Sequence, residues 1–211
     1  TVTKETLLAD LKLLGVKHGD VLFISSDLMN IGYFAENRKT TVDTLLDILI
    51  TAVGDKGCII LPSYTKTFLR FKKKSTIIYT KASNSIAGSF ANTLLKRSDV
   101  KRSTHPAHSY IGFGYNVERY LNAHTEKSLS YSIIGDIIKA NGKLLMLGTI
   151  DNKNAPPALH YVQEVLGYTK KQPLKGLFQT YYYEDKTLKL FTINDYGGCS
   201  RGAYNLYGPL I

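Results

Sequence analysis

Apolar positions recur every three to four residues over Thr3–Gly15, placing Leu7, Leu8, Leu11 and Leu14 on one face. That period predicts an amphipathic helix, with Gly15 as its stop. The spacing changes at Asp20–Ser25, a short run of strand formers. A second helix is predicted over Thr41–Val53, capped by Thr41 or Asp43 and ended by Gly54. Gly57–Pro62 is continuously apolar and stops at proline, the mark of a buried strand. Ser85–Lys96 reads as helix, carrying Ile86, Phe90, Leu94 and Leu95. Ser109–Phe113 reads as strand, Val117–Ala123 and Ile133–Ala140 as helices, and Lys143–Leu147 as a further buried strand. A helix restarts at Ala158–Leu166 behind Pro156-Pro157, a pair suited to a first turn. Phe178–Tyr183 and Leu188–Ile193, separated by Glu184-Asp185-Lys186, predict a hairpin.

Helix and buried strand alternate through the first three quarters, and the last part is antiparallel. The expectation is an α/β fold: a layered helix–sheet–helix domain with a C-terminal antiparallel β hairpin region. A chain of 211 residues fits one domain spanning 1–211. Residues 64–83 show no clean period and are read as a basic excursion from it, and 176–196 as its β-hairpin appendage.

Composition narrows the functional classes. The longest apolar candidate, Leu45–Val53, is short and is broken by Asp47 and Thr51, so no membrane span is expected. The polar opening Thr1-Val2-Thr3-Lys4-Glu5 reads as a helix start rather than a leader peptide. Two cysteines, Cys58 and Cys199, make neither a disulfide framework nor a metal pattern, and the cytoplasm is the expected compartment. Net charge is +10, and Tyr64–Arg102 holds ten basic residues against one acid, Asp99. Such a segment attracts anions or is a solvated face. Aromatics interleave with its cations, yet no nucleic-acid motif accompanies them, and nucleic acid is not the expected partner.

Three places concentrate reactive side chains. Arg102-Ser103-Thr104-His105-Pro106-Ala107-His108-Ser109 packs an arginine, two histidines and three hydroxyls ahead of a strand. Gly148–His160 runs from a strand end through a polar loop to a helix start, the usual place for a site in an α/β sheet. Ser25-Ser26-Asp27 follows the first strand and can face the same crevice. Taken singly, each has a structural reading: a helix histidine is commonly a packing residue, His105 before Pro106 can anchor a turn, and Ser25-Ser26 can cap a helix. No phosphate-binding loop, nucleophile elbow or zinc-protease motif is present.

In order, these segments resemble the antibiotic N-acetyltransferase (aminoglycoside 3-N-acetyltransferase) family. Leu14-Gly15-Val16, Gly19–Ser26 and Ile31-Gly32 look like the family's opening, with Ile24 where a histidine usually stands. Gly57–Ser63 resembles its next strand. Arg102–Ser109 is similar to R-S-x-H-P-x-x-S, its most specific motif. Leu144–Gly148 followed by Leu159-His160-Tyr161 resembles l-L-l-G…N-T-x-x-H-x-x-E. The match runs from Leu14 to about Leu174. It departs at Gln163, which takes the place of the motif's glutamate, and at Asn154-Ala155-Pro156-Pro157. Family members usually continue past the region of Gly198–Arg201, so the C-terminal end of the site is expected to be missing, remodelled or supplied by another chain.

The resemblance implies acetyl-CoA as co-substrate, no metal, a small-molecule amino-sugar acceptor and a monomer or homodimer. It assigns the general base to His160. Glu164, one helical turn on, is the candidate to orient that base, and Asp151 the second candidate. Ser25, Ser26, Ser63, Arg102, Ser103, His105 and Ser109 are the expected cofactor-binding set. Because aminoglycosides are polycations and this chain is basic, the expected acceptor is a nucleotide- or lipid-linked amino sugar of surface polysaccharide synthesis. The competing class is a non-catalytic relative that binds CoA or another polyanion. A thiol acyltransferase using Cys199 is a weaker alternative, since no histidine neighbours it in sequence.

Overall fold

The computed structural model describes residues 2–31, 38–65, 78–149, 156–167 and 179–192. In chain order these form α1 (Lys4–Leu13), β1 (Val21–Ser26), α2 (Leu28–Ile31), α3 (Arg38–Val53), β2 (Cys58–Pro62) and β3 (Ile78–Tyr79). Then come α4 (Ser89–Leu94), β4 (Lys101–Arg102), β5 (Tyr110–Gly114), α5 (Glu118–Leu121) and α6 (Ser132–Lys139). They are followed by β6 (Lys143–Leu147), α7 (Pro157–Val165), β7 (Gln179–Glu184) and β8 (Thr187–Thr192). No helix among the described residues is long and apolar enough to cross a membrane.

The apolar runs build a five-stranded sheet of order β4-β5-β2-β1-β6. β1 pairs in parallel with both β2 and β6, whereas β5 and β4 run antiparallel beyond β2. Successive strand residues point to opposite faces. Leu22, Ile24, Ile59, Leu61, Ile111 and Phe113 therefore meet Leu45, Leu46, Ile48 and Leu49 of α3, with Leu11 of α1 and Phe90 and Leu94 of α4. Phe23, Cys58, Ile60 and Tyr110 face the other way, onto α5 and onto Ile133, Ile134 and Ile137 of α6. Each such fully buried side chain contributes roughly 1.5–3 kcal/mol. Both faces are covered, giving the expected helix–sheet–helix layers.

Several helix boundaries shift: α3 begins at Arg38, which puts Thr41 and Asp43 inside it rather than at its cap. Leu14 caps α1 and stands 70% exposed, outside the buried face that holds Leu11. The helix predicted over 85–96 shortens to Ser89–Leu94. The Asn92 side chain accepts from Ser85 N–H and donates to Ser85 O, which holds the preceding backbone off the helix, and Ile86 is exposed.

The hairpin forms with Asp185 and Lys186 both at positive φ (46° and 64°), a two-residue turn whose twist matches the strands. It does not stand by itself. β3, from the basic excursion 64–83, adds to β7 in parallel, with Ile78 beside Tyr181 and Tyr79 beside Tyr182. The rest of that excursion, 66–77, lies outside the described residues.

Candidate active site

Where β1 and β2 end at their C-termini, the sheet opens on a cavity of about 250 Å³. Ser25 and Ser26, Tyr64, Tyr131, Pro157 and His160 form one part of its wall; Ile24, Leu61, Pro62, Ala87, Phe90 and Ala91 form the rest. This is the crevice at strand ends where α/β folds hold ligands. The serines sit on a fixed support. Asp27 N–H donates to Leu147 O (2.8 Å), and Asn30 Nδ2 donates to Gly148 O (2.9 Å), so the ends of β1 and β6 are tied together. Gly148 has φ +68°, and a Cβ there would collide with Asp27 O, so glycine is required.

His160 reaches the cavity from the first turn of α7, which Pro157 opens. Its ring stacks on Tyr131, with centroids 4.8 Å apart and planes at 26°. Nδ1 lies 3.4 Å from Gln163 Oε1. We assign the proton to Nδ1, facing the amide oxygen, and the lone pair to Nε2. Burial pushes the imidazole below its ordinary value, partly offset by the Gln163 contact.

Glu164 is buried, and both its oxygens accept from Tyr131 N–H at 2.9 Å. The expected i, i+4 reach toward His160 is replaced: this carboxylate turns from α7 to the N-terminus of α6. Asp151 lies outside the described residues.

The arginine–histidine loop departs further from expectation. Ser63, Arg102, Ser103, His105 and Ser109 are all buried, and none lines the cavity. Arg102 donates through Nη2 to Ser63 O (2.5 Å), through Nη1 to Lys81 O (3.0 Å) and Ser83 O, and through Nε to Ser109 Oγ (3.1 Å). Its guanidinium also lies over the Tyr79 ring. Ser109 Oγ donates to Ser63 O, and Ser103 Oγ accepts from Tyr110 N–H. His105 Nδ1 accepts from the N–H groups of Ala107 and His108, closing the turn around Pro106. These groups join β2, β4, β5 and the 81–83 loop into the wall behind the cavity. None of these five expected cofactor-binding residues is brought to the cavity wall, and protein groups already engage the polar atoms of Arg102, Ser103 and Ser109.

Tyr64 and Tyr131 were missing from the sequence-derived set. Tyr64 lies two residues past the end of β2, and that strand-end position is the signal that marks it. Its ring lies edge-on to His108 (5.0 Å), Tyr110 (5.7 Å) and Tyr131 (6.4 Å). His105 in turn stacks on His124 at 4.9 Å and meets Phe191 of β8 at 5.1 Å. One aromatic web thus runs from the cavity to the second sheet. The basic segment is also less open than its count implies. Arg97 pairs with Asp99, Lys101 with Glu118, and Arg102 is internal; among its described cations, Lys81 and Lys96 are exposed without an ion pair.

A cavity at the C-terminal edge of a mixed sheet, with hydroxyls on one strand end and a histidine on a facing helix, places the chain among α/β proteins with a strand-end site. It belongs to the aminoglycoside 3-N-acetyltransferase family, whose family model matches residues 23–200. The SPbeta prophage-derived aminoglycoside N(3')-acetyltransferase-like protein YokD of Bacillus subtilis (strain 168) is 26% identical over 141 residues, covering 58% of this chain and 50% of YokD. The chain therefore spans about half the length of the curated relative it matches. AAC-IIIb in its binary complex with CoASH superposes with a TM-score of 0.75 at 19% identity, covering 92% of this chain and 76% of that one. Sisomicin-bound AAC-VIa gives 0.74 at 20%, over 92% and 76%. The crystal structure of YokD gives 0.70 at 19%, over 90% and 79%. These likenesses show the fold.

Proposed function

We propose that the chain is an acetyl-CoA-dependent N-acetyltransferase acting directly on an amino group of an amino sugar, with His160 as general base. The observation that carries this reading is the meeting of His160 with Ser25 and Ser26 in one strand-end cavity. An amine is protonated at neutral pH and nucleophilic only once a proton is removed. Nε2 of a neutral, half-buried imidazole suits that removal. Ser25 and Ser26, both in the cavity wall, are the candidate donors to a thioester oxygen as it gains charge. The ammonium loses two protons in becoming an amide: one goes to solvent, and the other passes through His160 to the departing thiolate as the carbon–sulfur bond breaks, giving N-acetyl product and free thiol. The solved relative AAC-IIIb carries CoASH, which supports the cofactor.

The acceptor follows from the wall. Among the described residues no carboxylate lines the cavity, and the described wall offers a polycation no opposite charge. A neutral or anionic amino sugar fits it, such as a nucleotide- or lipid-linked one of surface polysaccharide synthesis. The exposed Lys81 and Lys96 add positive charge to the segment that also supplies Ala87, Phe90 and Ala91 to the wall. A mass-shift screen tests the reading: acetylation of nucleotide-linked amino sugars is expected. Efficient acetylation of kanamycin or gentamicin, with none of nucleotide amino sugars, would overturn it.

A second reading rests on Gln163. With a neutral amide beside Nδ1, the imidazolium gains no opposite charge from it, as suits a relative that binds CoA without turnover. Ligand at a hundred times Kd stabilises by about 2.7 kcal/mol. A raised Tm with acetyl-CoA, and no transfer to any amino sugar, would decide for that reading.

A further inference from the structure

We infer that Glu164 and Tyr131 form one positioning unit for His160, in which the Glu164 carboxylate fixes the Tyr131 backbone and the Tyr131 ring fixes the plane of the imidazole. This rests on the reading of His160 as the base, and it gives Glu164 a role through a neighbour rather than by touching the histidine.

Four contacts carry it. The Glu164 oxygens accept the same Tyr131 N–H at 2.9 Å each. Tyr131 is the N-cap residue of α6, and its own side chain makes no capping bond there, so α7 supplies the cap. An anion at a helix N-terminus is held by the N–H and by the helix dipole together. The Tyr131 ring then lies nearly flat on His160 at 4.8 Å. Finally, Gly135, one turn into α6, has no Cβ because the Tyr161 hydroxyl and ring occupy that space. α7 is therefore docked on α6 through Tyr161 at Gly135 and through Glu164 at Tyr131, with His160 on the turn that carries both contacts.

Burial is the main cause that raises the Tyr64 and Tyr110 hydroxyls above their ordinary values, and the nearby Glu164 adds a smaller push in the same direction. Among the described residues, the titratable groups near the imidazole are Tyr131 from α6, Tyr64 past β2 and Glu164 on its own helix. Burial is the main cause of the lowered imidazole value. A ring that loses its Tyr131 cover gains water, and its titration midpoint rises.

The full chain is tested with Glu164→Ala, Glu164→Gln, Tyr131→Ala, Tyr131→Phe and His160→Gln. Glu164→Ala and Tyr131→Ala are expected to lower kcat by roughly tenfold to a hundredfold, the cost of misplacing a reacting group. KM for acetyl-CoA should move less than about threefold. Glu164→Gln retains an oxygen that accepts from Tyr131 N–H, and it should recover most of the lost kcat. By NMR, the His160 midpoint should rise in both alanine variants and return to its original value in Tyr131→Phe, which keeps the ring. A merely structural Glu164 would lower Tm and leave that midpoint alone. If Glu164→Ala fails to fold, Tyr131→Ala and Glu164→Gln still report. An unmoved midpoint in folded alanine variants would overturn the proposal. Near-full turnover in His160→Gln would overturn the base assignment instead, while the midpoints would still read the ring's position.

Discussion

His105 shows what burial does to a titrating side chain. Its Nδ1 accepts two backbone N–H groups, so a second proton has to displace both. Burial first, and then the neighbouring His124 and His108, hold its pKa well below 6.5. The unfolded chain takes up that proton near the ordinary value, and the folded chain only at lower pH. Between the two the unfolded state binds more protons, so stability rises with pH. The contribution is complete above about 6.5 and is lost as pH falls through the folded value. Thermal melts should therefore show Tm dropping on acidification from pH 7. His105→Asn keeps an acceptor for the turn and has nothing to protonate, and it should flatten that slope. An equally steep slope in the variant would assign it to other groups. The same residue illustrates what a sequence conceals. The loop 102–109 was legible as a special place, but whether its polar atoms face a ligand or one another depends on partners such as Ser63 and Lys81, far away in the chain.

At the scale of elements, two glycines make opposite predictions. Gly148→Ala forces a side chain into left-handed backbone and against Asp27 O. It should cost about 2 kcal/mol or more, read as a lower denaturant midpoint at unchanged slope. Gly135→Ala gains about 1 kcal/mol of helix propensity but pushes against Tyr161. Its expected signature is a nearly unchanged Tm with reduced kcat, because the displaced partner is the helix that carries His160. The strands β1, β2, β5 and β6 were readable because each is an apolar run sandwiched between helices. β3 and β4 were not, since two residues carry no period and exist only through pairing with β7 and β5. Helix periodicity likewise placed Glu164 beside His160 along α7, while the N-terminus of α6, which captures its carboxylate, arises only when the helices pack.

For the whole molecule, net charge and local surface give different answers. The chain is strongly basic, yet the cavity wall is neutral among its described residues, and three of the described cations of the basic segment are already engaged. Salt should therefore affect the encounter with an anionic ligand more than the chemical step. Raising ionic strength is expected to increase KM for acetyl-CoA with little change in kcat. A salt-sensitive kcat would place charge at the reacting centre itself.

The pairing of β3 with β7 also sets an order of events during synthesis. Ile78 and Tyr181 are more than a hundred positions apart, and β3 leaves the ribosome long before its partner exists. Until β7 and β8 emerge, the Tyr79 hydroxyl that caps Ser103 O and the Phe191 ring against His105 lack their final frame. The five-stranded sheet can assemble from the nascent chain, but the back wall of its cavity is completed last, by a contact of very high sequence separation. Ribosome-bound chains ending before residue 179 should thus protect β1, β2 and β5 from protease while the 78–83 stretch is still cut, and release of the finished chain should close it.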